Sequence, residues 1–277
     1  MKATKKKKIL KEDLSSLIQK FSQNDVIAEM EKEYANRPTL SISASQIDDS
    51  PFLKRAKVPE KTLARFAEAI ESRGIFAPLI VRPKLSHYEL ILGRKRFQGG
   101  KRANLQEFPC IVREFSDEEV LLMLLADVRD QRDANMVEMA LIYERLADDF
   151  GYRQQTLAEL SHQSRSQITN TLRLLSLPYE VIDEVSLGTL SYGHAKAIAS
   201  LSEDEIRLLV KRIHEEGLSV REVEQIVKND RQTKKESPIV VRPELGISGI
   251  EQTKKNLILH FGSEEEKEAF LEKLIAK

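Results

Sequence analysis

Two helix starts lie only eight residues apart in the stretch Thr156 to Pro178, TLAELSHQSRSQITNTLRLLSLP. Thr156 with Glu159 makes one S/T-x-x-E/Q capping pattern, and Ser164 with Gln167 makes a second. That spacing leaves room for one short helix, a turn, and a longer helix from Arg165 to about Leu175. Leu157, Leu160, Ile168, Leu172 and Leu175 supply the apolar spacing that packs the pair together. The other face of the second helix carries Arg165, Ser166, Gln167, Thr169, Asn170 and Arg173. No carboxylate occurs between Glu159 and Glu180, although the chain is 32% charged. Short polar donors and two arginines, at a helix start free of acidic residues, suit base edges and phosphates. Spacing alone fits an ordinary helical hairpin equally well, so the surrounding sequence has to decide.

With 277 residues the chain has room for two or three small domains with cores of their own. Its net charge is zero, so any nucleic-acid affinity must come from local patches. The single cysteine, Cys110, excludes an internal disulfide, and the five scattered histidines form no close pair, so no protein-held metal is expected. The longest apolar run, Val120 to Ala126, is too short to span a bilayer. The basic start is not followed by the apolar segment of a signal peptide, and a cytoplasmic protein is expected.

The pattern along the chain predicts a multidomain α+β protein. Residues 1–38 read as a flexible tail, in which the basic run Lys5 to Lys8 precedes an amphipathic stretch ending at Phe21. Such a tail is either simply solvated, or a docking peptide for a partner, or a weak membrane anchor. Residues 39–115 are mixed α and β. Pro59 opens a helix with Leu63, Phe66, Ala67 and Ile70 on its buried side, and Gly74 ends it. Strands follow at 79–81, 88–92 and 110–112. Between the last two, Gly93 turns a strand into a helix that brings Arg94, Lys95, Arg96, Lys101 and Arg102. Backbone N–H groups there would face an anion, unless this is only a solvated basic helix. It is not a Walker A loop, because Lys95 and Arg102 stand where glycine and Ser or Thr are required.

Residues 116–228 read as all-α. Ser116 with Glu119 caps one helix and Met136 to Phe150 forms the next, their apolar faces (Val120, Leu121, Leu124, Leu125; Val137, Leu141, Leu146) supporting the hairpin. Ser202 with Glu205 and Ser219 with Glu222 open two more. Residues 229–250 read as linker. Residues 251–277 offer a strand, Leu257 to Phe261, and a helix opened by Ser263 and Glu266 with Phe270, Leu271, Leu274 and Ile275 on one side. So small a piece cannot bury enough surface alone and most simply pairs with its own copy.

Several motifs, in order along residues 40 to 228, resemble the ParB partition family. They are GIFAPLIVRP, then YELILGRKRFQGGKRANLQEFPCIV, the helical pair already described, LSYGHAKAIASL and GLSVREVEQIV. The resemblance implies a ParB-type N-terminal α/β nucleotide-binding domain, a helix-turn-helix DNA-binding domain and a small C-terminal dimerisation domain. It implies a nucleoid-associated homodimer that binds a palindromic, centromere-like site in double-stranded DNA and works with a ParA-type ATPase in chromosome or plasmid segregation. Arg165, Ser166, Gln167, Thr169, Asn170 and Arg173 would read the DNA, with Gly193, His194 and Lys196 close to its backbone. CTP would gate the dimer as a clamp, held by Gly74, Pro78, Leu79, Gly93, Arg94, Lys95, Arg96, Gln98 and Asp127. Lys7 and Lys8 of the tail would act on the ATPase.

The chain also departs from the family. The G-E-R-R-x-R motif reads Gly93-Arg94-Lys95-Arg96-Phe97-Gln98, Ala77 stands for a frequent glutamine, and Asp127-Val128 for a Glu-Asn pair. Losing a carboxylate and an amide removes oxygen ligands for a hard cation. The expectation is therefore binding of CTP or another anion, poor retention of Mg2+, and at most weak CTPase activity. Two other readings share the scaffold. A Noc-like nucleoid-occlusion factor would place the tail on the membrane, and a plain helix-turn-helix repressor would not respond to nucleotide. The related sulfiredoxin chemistry needs a reactive cysteine in a phosphate loop, whereas Cys110 sits in a predicted buried strand.

Overall fold

The computed structural model describes residues 16, 19–23, 26–35, 38–235, 247–252 and 257–275. They fall into two compact units, residues 1–223 and 224–277. The larger holds a five-stranded mixed sheet where three strands were expected. The additional pair, β1 (Leu40–Ser43) and β2 (Ile47–Asp48), is too short to display a period of two. They form because the expected strands offer edges. With β3 (Leu79–Lys84), β4 (His87–Leu92) and β5 (Glu107–Val112), the order is β1-β5-β3-β4-β2. β3 and β4 make an antiparallel hairpin, β3 and β5 are parallel, and the two edge strands pair with β5 and β4.

Arg82 and Glu89 face each other across that hairpin and are both buried. Arg82 Nη2 donates to Glu89 Oε1 at 2.7 Å and to Asp117 Oδ1 at 2.6 Å, while Nη1 donates to Phe115 O at 3.0 Å. The guanidinium thus ties the hairpin to the start of the helix Asp117–Asp130 through its two terminal nitrogens, while its buried Nε has no partner.

On one side of the sheet Leu79, Val81, Leu90, Phe108 and Cys110 pack with Phe97 of a helix that crosses this face. In chain order the helices begin with α1 (Val26–Ala35), α2 (Glu60–Arg73), α3 (Arg94–Arg102) and α4 (Asp117–Asp130). They continue as α5 (Met136–Phe150), α6 (Gln154–Ser161), α7 (Arg165–Leu172), α8 (Tyr179–Leu187), α9 (Tyr192–Ile198), α10 (Glu203–Glu216) and α11 (Val220–Lys235). On the other side of the sheet, Ile80, Ile91, Leu92 and Ile111 pack into the same cluster as α4. The stripe expected on α4 was too narrow, since Leu122, Met123, Ala126 and Val128 are buried as well. A helix apolar all round is one covered on all sides. Here the sheet, α5 and α6 cover it. One cluster therefore runs from the sheet through α4 to Leu157, Leu160 and Ile168, across the boundary expected between residues 115 and 116.

The expected tail also shortens. Phe21, Val26, Ile27 and Met30 are buried in that same cluster. Arg129 holds the segment by its backbone, with Nη1 donating to Phe21 O at 2.8 Å and Nη2 to Gln23 O at 2.6 Å. Lys7 and Lys8 lie outside the described residues.

In the smaller unit, β6 (Ile247–Gln252) and β7 (Leu257–Phe261) form an antiparallel hairpin before α12 (Glu264–Ile275). Both ends of the expected linker are structured, because α11 runs on to Lys235 and β6 begins at Ile247. β6 carries no clean apolar alternation; its ladder with β7 supplies the backbone partners that make it a strand. Phe261 and Phe270, with centroids 5.4 Å apart, join α12 to the hairpin.

Candidate DNA-reading surface and anion-binding cleft

α6 and α7 are the predicted pair. Ser164 caps α7 through the full capping box, its Oγ accepting from Gln167 N at 3.3 Å while Gln167 Oε1 accepts from Ser164 N at 2.8 Å. The box expected at Thr156 does not form, because α6 already begins at Gln154 and places Thr156 inside the helix. The turn is made by His162, in the left-handed region at φ 54°. α7 is also shorter than expected, tightening to a 3-10 turn over Arg173–Ser176. Ile168 and Thr171 face inward. Arg165, Ser166, Gln167, Thr169 and Arg173 are exposed and Asn170 is half-buried, so the predicted reading face comes together on one surface. Arg165 Nε and Thr169 Oγ1 both reach Gln154 Oε1, at 3.4 and 3.2 Å, which orients two of its members. Arg173 makes no ion pair with the described residues.

The three residues expected beside the DNA backbone have unlike surroundings. Lys196 is exposed. Gly193 is needed for packing, since a Cβ there would lie 2.9 Å from Val220 Cγ2. His194 is spent inside the chain: Nε2 donates to Leu218 O at 3.0 Å, which leaves Nδ1 to accept from Ser191 Oγ at 2.9 Å. The ring braces the start of α9 against the loop before α11.

The second site is a cleft of about 880 Å3 whose lining includes Gly93, Arg94, Lys95, Arg96, Asp127 and Glu138. Gly93 enters α3 at φ 97°, and a Cβ would meet Leu79 Cδ2 at 2.7 Å, so only glycine lets β4 turn directly into the helix. The first-turn N–H groups of α3 then have no acceptor within the helix.

Arg94 was expected to hold nucleotide, and the structure gives it other work. Its Nε donates to Asp49 Oδ1 and Oδ2 at 3.1 and 3.0 Å, Nη1 to Glu138 Oε1 at 2.7 Å and Nη2 to Ala56 O at 2.8 Å. Such a guanidinium is a brace between the sheet side and α5. Lys95 pairs with the neutral Gln131 Oε1, and Gln131 Nε2 donates to Asp127 Oδ2 at 3.0 Å. Arg96 donates to Ala77 O at 3.1 Å and pairs with Glu31 of α1 at 2.6 Å. Burial, with Glu138 and Glu31 nearby, pushes the Asp127 carboxyl up to about 6 against the pull of Arg96 and Lys95. Burial also raises Glu138, although Arg94 opposes it.

Gly93, Lys95, Arg96 and Asp127 thus share one cleft, and a multi-oxygen anion could exchange with the amide on Lys95 and the part-exposed carboxylate on Arg96. Gly74, Pro78, Leu79 and Gln98 are not among its walls. Gly74 ends α2, and Leu79 is fully buried beneath Gly93. Gln98 donates to Asp49 Oδ2 at 2.8 Å in a separate small hollow. The sequence reading missed Glu31, Asp49, Gln131 and Glu138. Glu138 had left a trace as a lone charge on the buried side of α5, between Val137 and Met139. Cys110 is inert core: burial pushes its thiol up to about 12. Among the described residues no group of three or more His, Cys, Asp or Glu is placed to hold a metal ion, and no helix is long and apolar enough to cross a membrane.

Residues 28–129 match the ParB N-terminal domain family and residues 132–232 the ParB HTH domain family. The chain is 32% identical, over 251 residues, to a probable chromosome-partitioning protein ParB of Neisseria meningitidis serogroup A, covering 84% of this chain and 88% of that one. A C-terminally truncated ParB of Caulobacter crescentus, solved with the centromeric parS site, is 32% identical with a TM-score of 0.41, covering 69% of this chain and 99% of that one. The same Caulobacter protein solved with CTP-gamma-S is 32% identical with a TM-score of 0.31, covering 64% and 99%.

Proposed function

Since the chain belongs to the ParB family of chromosome-partitioning proteins, we propose that it binds a palindromic, centromere-like DNA site as a homodimer through α7. The observation that carries this is the carboxylate-free face of α7 and the 3-10 turn after it, which presents Arg165, Ser166, Gln167, Thr169 and Arg173 to solvent while Ile168 and Thr171 are buried. A palindrome needs two such readers in one particle. The smaller unit, whose helix leaves Leu271 exposed, is the segment that joins the copies.

CTP is the ligand of the cleft in this reading. Gly93, the first-turn N–H groups of α3, Lys95 and Arg96 hold its phosphates, and Arg94 stands aside as a brace. Nucleotide then closes the dimer as a clamp on the nucleoid, and a ParA-type ATPase is engaged through the N-terminal residues. Hydrolysis is weak because the cleft brings few carboxylate oxygens to a cation. The deciding experiment measures release of fluorescent CTP with and without DNA fragments selected by the protein itself. Slower release with selected DNA supports the proposal. Selected DNA without any nucleotide binding turns it into a plain repressor, and no sequence preference at all removes it.

A further inference from the structure

We propose that Glu31 is a built-in phosphate surrogate: α1 lays its carboxylate on Arg96, and an anionic ligand takes that place only by displacing it. The inference rests on the nucleotide reading and concerns how the same cleft is regulated.

Three observations carry it. Glu31 Oε1 lies 2.6 Å from Arg96 Nη2, and both residues line the cleft with Gly93 and Asp127. Carboxylate and phosphate oxygens are both anionic acceptors for a guanidinium, so the two compete for Arg96 Nη2. The three cations at the start of α3 also differ in what they hold. Arg94 is bound by Asp49, Glu138 and a carbonyl, and Lys95 holds only an amide. Arg96 holds a carboxylate from a separate element, on a side chain that is still 36% exposed. Of the two arginines held by carboxylates, it is the one whose partner can leave without unpairing a buried charge.

The segment just before α1 is anchored by its backbone, and α1 itself packs Val26, Ile27 and Met30 into the core; Glu31 is its tie to Arg96 in the cleft. Arg129 grips Phe21 O and Gln23 O, and His162 Nε2 meets Ser22 O at 2.7 Å. His162 is the turn between α6 and α7. A ligand that expels Glu31 removes the tie between α1 and Arg96, in a segment that also touches the α6–α7 turn. Anion binding and the N-terminal segment become opposed: what holds α1 down weakens the ligand, and what binds in the cleft releases α1.

The test uses the full chain and its Glu31→Gln variant, titrated with CTP and with inorganic triphosphate. Gln keeps the shape and drops the charge, so binding should tighten roughly tenfold, the effect of about 1.4 kcal/mol of lost competition. Hydrogen exchange on the unsubstituted chain gives a second reading, in which either anion should speed exchange across residues 26–35. Tighter binding by the variant, or binding by the variant alone, supports the proposal. Equal or weaker binding by a folded variant overturns it while leaving the nucleotide reading in place. Slower exchange of α1 on anion binding to the unsubstituted chain also overturns it, whether or not the variant folds. If neither protein binds either anion, the nucleotide reading falls and the proposal falls with it.

Discussion

Arg94 Nη1 donates to Glu138 Oε1 at 2.7 Å, joining the first turn of α3, on the sheet, to the first turn of α5, which precedes the α6–α7 pair. The Glu138 carboxylate is 6% exposed and the Arg94 side chain 11%. Removing the cation from such a pair leaves a buried charge without compensation.

Arg94→Ala should therefore destabilise the chain by about 3–5 kcal/mol, and Arg94→Glu, which places a third carboxylate between Asp49 and Glu138, by more. Arg94→Lys should fall between wild type and alanine, because a single ammonium cannot replace the fork. Urea denaturation followed by circular dichroism orders the three. If Arg94→Ala is as stable as wild type, the residue is no brace.

Asn170→Ala and Arg173→Ala should each weaken binding to the selected DNA site by roughly 1–3 kcal/mol and leave the melting temperature in place. Arg173→Ala should also lower the salt dependence of binding if Arg173 meets a phosphate. Fluorescence anisotropy at several salt concentrations separates the two roles, and unchanged affinity for both variants would displace α7 as the reader.

His194→Ala should cost about 1–2 kcal/mol of stability, since Leu218 O and Ser191 both lose their partner. DNA affinity measured well below the melting temperature should hardly move. A large loss of affinity with no loss of stability would restore the DNA role implied by the resemblance.

Asp127 ties the cleft to pH. Its folded pKa, about 6, is raised above the model-peptide value of 3.8. The proton is therefore held more tightly in the folded chain, and the stability it contributes is fully present below 3.8 and lost as pH rises through 6. The loss amounts to roughly 1–3 kcal/mol. Asp127→Asn should flatten the stability profile between pH 4 and about 7, and should strengthen anion binding at neutral pH by removing a negative charge from the cleft. A profile between those limits that keeps its slope in the variant would show that another group titrates there.

Deleting residues 247–277 should give a monomer with greatly reduced affinity for the selected site, because two half-sites need linked readers. Sedimentation in the absence of DNA and nucleotide checks it; a truncated chain that still runs as a dimer would move the dimer contact elsewhere.

What could be read from the sequence is whatever closes within a few residues. The capping boxes at Ser116, Ser164 and Ser202 formed as written, because a cap is satisfied by a group three positions away. The exposed face of α7 followed from the helical period, since Ile168 had to be buried. Even so, Thr156 and Glu159 matched the same pattern without making a cap, for α6 had already started at Gln154. Tertiary structure decided the rest. β1 and β2 exist only because other strands present edges to them. Arg94 beside Gly93 looked like an anion ligand, and became a brace because Asp49 and Glu138 arrive from 45 and 44 residues away. His194 was turned inward by Leu218, 24 residues on. A helix cap depends on local backbone geometry, which a short segment carries with it. Where a charge finds its partner depends on which distant groups burial gathers around it, and that is settled only when the core closes.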